Sequence, residues 1–301
     1  MKPTLTTLIC VQYAITGFCL AREMEGYTPD EVVVYKEIGD TKLTIDVFYP
    51  VGHRKTDARA AIVFFYAGGW AQGHPSQFHP QCKYLASRGL VAMTADYRVM
   101  KRDGTTPVEC VKDAKSAIRW VRKNGADYGI DPNRLAAGGG SAGGHVAAAA
   151  AYLAGFNEQG EEISVSSIPS ALILFSAVVD NSKDGFGYRH VKDYWREFSP
   201  LHNISNRPLP TIAFYGKDDK HTKRGLPEKL RMAVESAGGR CDLHLFEGQG
   251  HGFYNHKNPG FAATMTKTDE FFVSLGYLSG KPDLKTLKRI EGLVLNQSRA
   301  D

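Results

Sequence analysis

Four runs of mostly apolar residues recur along the chain: Ala61-Ile62-Val63-Phe64-Phe65, Val91-Ala92-Met93-Thr94-Ala95, Ala171-Leu172-Ile173-Leu174-Phe175 and Thr211-Ile212-Ala213-Phe214-Tyr215. Continuous runs of this length fit parallel strands covered on both faces rather than half-exposed strands, which alternate. Between them the pattern switches to a helical period. From about Val108 to Lys123, Val111, Ala114, Ala117, Ile118 and Val121 form one stripe with charged residues opposite. Further helices are expected over roughly Gln77 to Arg88, Ala142 to Ala154, Gly225 to Ala237 and Phe261 to Leu275. Ahead of them, Val32 to Tyr35 and Leu43 to Tyr49 flank Gly39-Asp40 and predict an antiparallel hairpin at a sheet edge. The alternation predicts an α/β fold with a doubly wound, mostly parallel sheet, whose carboxyl-end loops build the functional site.

Composition changes this picture little in the middle of the chain and more at its ends. With 301 residues, 43% hydrophobic and 23% charged, the chain can bury one large core, and no Pro-rich, Ser-rich or repeated stretch divides it. One domain over 22–280 is the simpler organisation. The net charge of +5 is spread along the sequence, so nucleic acid is not an expected partner. Residues 1–21 carry Lys2 as their only charge and a mostly apolar stretch from Leu5 to Leu20, with Cys19 and Ala21 small at the −3 and −1 positions of a cut. That pattern predicts a secretory signal peptide, hence a secreted or periplasmic protein with no membrane span once processed, or a cytoplasmic one if the segment is a helix. Removal would leave Cys82, Cys110 and Cys241, without metal-ligand spacing. Cys82 and Cys110 could then pair or stay as buried thiols. The tail 281–301 has Leu284, Leu287, Ile290, Leu293 and Leu295 at helical spacing, to dock or to mediate association; the subunit number stays open.

The chemistry concentrates at Gly139-Gly140-Ser141-Ala142-Gly143, between a short apolar strand at Arg134 to Ala137 and an alanine-rich helix. Small residues on both sides of a serine permit the sharp strand-to-helix turn that lifts a nucleophilic hydroxyl above a sheet and aims a helix N-terminus at an oxyanion. Gly138, Gly140 and Gly143, with Glu161 and Glu162 further on, also spell a dinucleotide fingerprint, but those acids fall in a polar loop rather than at a strand end. A serine needs a base to take its proton and an acid to orient that base. Gly216-Lys217-Asp218-Asp219 and Gly248-Gln249-Gly250-His251-Gly252 follow later strands and supply Asp219 and His251, with Asp218 read as the solvated neighbour. Gly68 and Gly69, after the strand ending at Phe65, and the N–H of Ala142 supply oxyanion donors. No metal or organic cofactor is required.

Together Phe64 to Trp70, Asp96-Tyr97-Arg98, Gly139 to Gly144, Gly216 to Asp219 and Gly250 to Phe253 resemble the α/β-hydrolase carboxylesterases and lipases, near the hormone-sensitive-lipase-like branch and the bacterial polysaccharide acetyl esterases. The resemblance implies Ser141 as nucleophile, Asp219 as acid, His251 as base and an oxyanion hole at Gly68, Gly69 and Ala142. The family's usual His-Gly-Gly-Gly is here Tyr66-Ala67-Gly68-Gly69, which alters the support of that loop and weakens any expectation that bulky tertiary-alcohol esters are accepted. Asp96-Tyr97-Arg98 is read as a structural tie. Trp70, His74 and Gln77 near the oxyanion loop, and Tyr188 and Trp195 in the aromatic excursion from Asp180 to Asn206, are the expected substrate contacts. The reaction expected is hydrolysis of a short acyl ester, most plausibly acetyl on a carbohydrate. A general carboxylesterase or lipase, a peptidase, a non-catalytic binding protein on the same scaffold and a nucleotide-binding enzyme are the alternatives.

Overall fold

The structure is a computed structural model and describes residues 27–204 and 208–292. Eight strands form one sheet in the order β1-β2-β4-β3-β5-β6-β7-β8. Their bounds are β1 Glu31–Ile38, β2 Thr41–Phe48, β3 Arg59–Phe65, β4 Val91–Ala95, β5 Ile130–Gly140, β6 Leu172–Phe175, β7 Thr211–Gly216 and β8 Cys241–Phe246. β1 and β2 form the antiparallel hairpin and β2 runs antiparallel to β4, while β3 through β8 pair in parallel. The central strand, β5, is longer than its apolar residues suggested, because Ile130 already pairs with Arg59 before the register shift that precedes Ala61.

The main helices are α1 His79–Arg88, α2 Pro107–Asn124, α3 Ala142–Tyr152, α4 Leu226–Ser236, α5 Phe261–Ser274 and α6 Leu284–Gly292. Alternate residues of each strand feed two separate cores, which is why the strands read as unbroken apolar runs. Ile62, Phe64, Ile173 and Phe214 pack with Cys82 and Leu85 of α1, Phe272 of α5 and Leu287 and Ile290 of α6. Val63, Phe65, Leu174 and Ala213 pack on the other face with Cys110 and Val111 of α2, Val146 of α3 and Leu230 of α4. Cys82 and Cys110 therefore lie on opposite faces, and both are free, as is Cys241. Cys10, Cys19 and the rest of residues 1–21 lie outside the described residues.

Local signals set the ends of α2: Thr106 and Glu109 make a reciprocal capping box, and Pro107 takes the first helical position, where its missing N–H costs nothing. In the 281–301 tail the Asp283 carboxylate accepts the N–H groups of Lys285 and Thr286 and caps the helix that follows. The resulting α6 docks rather than projects, and the carbonyl of Ile290 accepts the Tyr27 hydroxyl at 2.6 Å. Leu293 and Leu295 fall outside the described residues. Asp96-Tyr97-Arg98 serves structure: Arg98 makes a two-pronged contact with buried Asp113 at 2.8 Å on each prong and a third with Glu158, while Asp96 accepts the Tyr66 hydroxyl at 2.7 Å. Glu161 and Glu162 are ion-paired to Arg119 and Lys123 on the α2 flank, so neither stands at a strand end as a nucleotide ribose would require.

Candidate active site

Parallel register brings the strand ends of β3, β5, β6, β7 and β8 to one edge, since Phe65 pairs with Gly139, Gly140 with Phe175, Phe175 with Phe214, and Gly216 with Phe246. Tyr66, Ser141 and Ser176 directly follow β3, β5 and β6, and the acid and histidine loops follow β7 and β8. At the end of β5 the backbone of Ser141 is held at φ 52°, ψ −116°, a strained conformation for a residue with a side chain. Three bonds hold it there: its N–H donates to Phe175 O at 2.9 Å, and its carbonyl accepts His145 N and Val178 N at 3.0 and 3.1 Å. α3 begins immediately afterwards and packs so closely on β3 that a Cβ at Gly143 would strike the carbonyls of Phe65 and Tyr66. Glycine is required there by that contact, and the contact draws the Ala142 N–H toward the loop that leaves β3.

That loop, Tyr66 to Trp70, is pinned at both ends of its glycine pair. Gly68 sits at φ 146°, where a Cβ would collide with the Gln72 carbonyl, and Gly69 at φ 63°. Tyr66 stacks on Tyr97 with centroids 4.2 Å apart, donates its hydroxyl to Tyr97 O and accepts the Tyr97 hydroxyl on its own carbonyl, each at 2.7 Å. Aromatic stacking and paired hydrogen bonds thus support the start of this loop. Ala67 keeps an ordinary negative φ, so its Cβ costs no strain. Its N–H is donated to Gln77 Oε1 at 2.6 Å, which leaves Gly68, Gly69 and Ala142 as the candidate oxyanion donors.

The acid turn is fixed by Asp219 N donating to Gly216 O at 3.3 Å. Asp219 is buried and Asp218 exposed, yet the Asp218 backbone is not idle: its N–H donates to Gln249 O at 3.0 Å and ties this turn to the histidine loop. His251 Nδ1 lies 2.8 Å from Asp219 Oδ2. Because the carboxylate can only accept, Nδ1 carries the proton and Nε2 is left with a lone pair. Burial alone would push the Asp219 carboxyl up, but the hydrogen bonds from His251, from the Thr222 hydroxyl and from His221 N–H outweigh it and bring its pKa down to about 2. Ser141 Oγ is not hydrogen-bonded to His251 in this structure. Unliganded hydrolytic sites commonly show this link long, and it tightens when substrate fills the space.

A cavity of 590 Å³ lies outside the acid turn, against Gly216, Asp219 and Thr222, and two others adjoin the base and the oxyanion loop. One of 110 Å³ lies against His251 and is walled by Ser176, Ala177, Val178, Phe186, His221 and Leu226. The other, of 430 Å³, is an open cleft bounded by Ala67 and Gly73 of the oxyanion loop, by His74, Ser76 and Gln77, and by Asn255 to Lys257 past the base. Of the expected substrate contacts, His74 and Gln77 line this cleft, and Gln77 in addition holds the oxyanion loop. Trp70 is not a contact: it is 2% exposed, wedged edge-on against His145 and beside Phe186. Tyr188 and Trp195 line neither cavity. Tyr188 opens a short helix, and Trp195 packs half-buried against His202 with Arg196 over its ring. Sequence reading missed Ser176 and Asn255, which sit after bulky or unremarked neighbours and become visible only when the strands are aligned.

The sheet order, the elbow on β5 and the acid and histidine loops after β7 and β8 define an α/β-hydrolase of the carboxylesterase type. Within that class the chain belongs to the BD-FAE family, whose model matches residues 45–231; the dienelactone hydrolase family model matches residues 192–274. Among solved structures, a thermophilic esterase from the planctomycete Thermogutta terrifontis in its propionate-bound form is 39% identical, with a TM-score of 0.81 over 85% of this chain and 98% of that one. The same esterase phosphorylated by paraoxon is 40% identical, with a TM-score of 0.79 over 83% of this chain and 96% of that one. Among curated proteins, a probable isoprenylcysteine alpha-carbonyl methylesterase of Arabidopsis thaliana is 26% identical over 69% of this chain and 48% of its own length. Esterase LipC of Mycobacterium tuberculosis is 27% identical over 66% of this chain and 54% of its own length. The chain spans about half the length of these curated relatives.

Proposed function

We propose that the chain is a serine carboxylesterase that removes short acyl groups, acetyl foremost, from carbohydrate hydroxyls. The observation that carries the reading is the Asp219–His251 pair, 2.8 Å apart and set against a cavity of only 110 Å³. That space is well below the roughly 300 Å³ at which pockets for larger ligands begin, so it suits an acyl group of a few carbons and not a lipid chain. The Thermogutta esterase, solved with propionate and with butyrate, supports the same size range. The open cleft, lined by Ser76, Gln77 and Asn255, supports a polar alcohol half.

In this mechanism Ser141 Oγ attacks the ester carbonyl while His251 Nε2 takes its proton, and Asp219 holds the imidazole in the required tautomer and stabilises the imidazolium. The oxyanion falls against the N–H groups of Gly68, Gly69 and Ala142. His251 then returns the proton to the departing alcohol. Water, deprotonated by His251, attacks the acyl carbon, the bond to Ser141 Oγ breaks as His251 returns that proton to the serine oxygen, and the carboxylic acid leaves. Export through residues 1–21 would bring the enzyme to polysaccharide, and N-terminal sequencing of the expressed protein checks it. The substrate reading is tested with 4-nitrophenyl esters of increasing chain length and with acetylated xylan. We expect acetyl and propionyl esters to be cleaved at least about tenfold faster than octanoyl, as a clash in a closed pocket implies, with acetate released from the polymer. A preference for long chains, or no release from acetylated polysaccharide, would overturn it.

A further inference from the structure

The 430 Å³ cleft has an unusual hydrogen-bond balance. The N–H of Ala67, which can only donate, fixes Gln77 Oε1 as acceptor at 2.6 Å, so Gln77 Nε2 must donate to Asn255 Oδ1 at 3.0 Å. Each amide oxygen thereby has one hydrogen bond directed into the protein. His74 Nδ1 accepts the Ser76 N–H at 3.2 Å, so its proton sits on Nε2. His256 Nε2 lies 3.1 Å from Ile290 O, a contact that makes it the donor; Nδ1 of the same ring is buried. The donors left for a ligand are the second N–H of Gln77, the Asn255 amide and His74 Nε2.

A cation completes the set. Lys257 is exposed at the rim of the cleft, its backbone in the left-handed region at φ 72°, and no carboxylate lines the cleft. Among the described residues Lys257 has no ion-pair partner, whereas Lys223 and Lys217, around the acid turn, pair with Asp184 and Glu247. Burial, and after it the Lys257 charge, hold the His256 pKa below its ordinary value against the opposing hydrogen bond to Ile290 and the Glu291 carboxylate. Side-chain donors beside an unpaired ammonium, with no carboxylate lining the cleft, match an anionic acceptor group.

We infer that this cleft binds the alcohol half of the substrate through a carboxylate, so that the preferred ester is an acyl group on a uronic-acid-containing glycan. The inference rests on the esterase reading above and adds the charge of the alcohol to it. The cleft lies between the oxyanion loop and the residues after His251, so a sugar esterified at the reacting carbonyl can lay its neighbouring unit there. Lys257 and His74 Nε2 would meet the carboxylate, with Asn255 and Gln77 reaching ring oxygens.

The test uses the full chain with three probes: acetylated polygalacturonate, the same polymer with its carboxyls reduced to alcohols before acetylation, and 4-nitrophenyl acetate. We expect kcat/KM at low salt to favour the charged polymer over the reduced one by about tenfold, a ratio that falls as salt screens the pairing. Lys257→Gln should lower that ratio about fivefold, chiefly through KM on the charged polymer, and Lys257→Arg should restore most of it. Equal rates on the two polymers, or a Lys257→Gln effect of the same size on both, would overturn the inference. Absence of 4-nitrophenyl acetate hydrolysis by the unaltered protein would instead overturn the esterase reading, and this inference with it.

Discussion

Two neighbouring strands, β5 and β6, end in the same way and do different things. Each delivers a serine with positive φ, 52° at Ser141 and 43° at Ser176, and each serine N–H is tied to the next strand, at 2.9 Å to Phe175 O and 2.7 Å to Phe214 O. Their surroundings diverge at once. Ser141 follows two glycines and opens α3, so its hydroxyl stands above a helix N-terminus. Ser176 follows Leu174 and Phe175, leads into the non-helical stretch Ala177 to Asp180, and buries its hydroxyl without a hydrogen-bond partner. A strained serine at a strand end is therefore not enough to make a nucleophile. Small neighbours and a helix start are what separate the two.

Replacement of the first serine should have the largest effect. Ser141→Ala is expected to cut kcat/KM for 4-nitrophenyl acetate by about 10⁴-fold or more with the melting temperature nearly unchanged. A comparable loss on Ser176→Ala would erase the distinction.

Next comes the acid, where the two adjacent aspartates offer an internal control. Asp219→Asn should lower kcat about 10³–10⁴-fold, because an amide in place of the carboxylate no longer fixes the Nδ1–H tautomer of His251. Asp218→Asn should stay within about threefold, since its side chain is exposed and only its backbone N–H is used. The pH dependence follows from the lowered Asp219 pKa. A depressed folded-state value contributes stability at pH above the unfolded carboxyl range, lost as pH falls from about 4 toward the folded value of about 2. Thermal melts of wild type and Asp219→Asn should therefore converge across that acid window and differ above it.

A smaller effect is expected at Gln77, which anchors the oxyanion loop without supplying a donor. Gln77→Ala frees the Ala67 N–H and Asn255 Oδ1, and should reduce kcat by about tenfold, less than the 10²–10³-fold typical of losing a donor itself. The smallest effect belongs to Ser176→Ala. It removes a buried hydroxyl that has no partner, so stability should be unchanged or higher by up to about 1 kcal/mol in denaturant titration.

The strand ends also show why some of the site was legible in the sequence and some was not. β3, β4, β6 and β7 announced themselves because both faces are buried, and Gly139 to Gly143 and His251 because tight turns admit few residue types. Asp219 stood out from Asp218 through its place in the turn after Gly216. Local pattern could not show that Gln77 and Asn255 form one chain of amides, since Asn255 is far along the sequence and meets Gln77 only through folding. It also misassigned Trp70. An aromatic beside a catalytic loop suggested substrate contact, but the space behind that loop is filled by His145 and Phe186, and the indole completes the packing. Tyr188 and Trp195, in the excursion, line neither cavity, and Trp195 packs against His202 and Arg196. Ser176 carried no signal at all, as nothing in Leu174-Phe175-Ser176 distinguishes a strained serine from an ordinary strand end.

The account's central claim is that one serine, at the end of β5, carries the acyl group. Mass spectrometry of tryptic peptides after reaction with paraoxon tests it most directly. The account predicts a single diethylphosphoryl adduct on Ser141, in step with loss of esterase activity, and none on Ser176 or in the Ser141→Ala variant. Complete inactivation with Ser141 unmodified, or an active enzyme carrying the Ser141→Ala change, would contradict it.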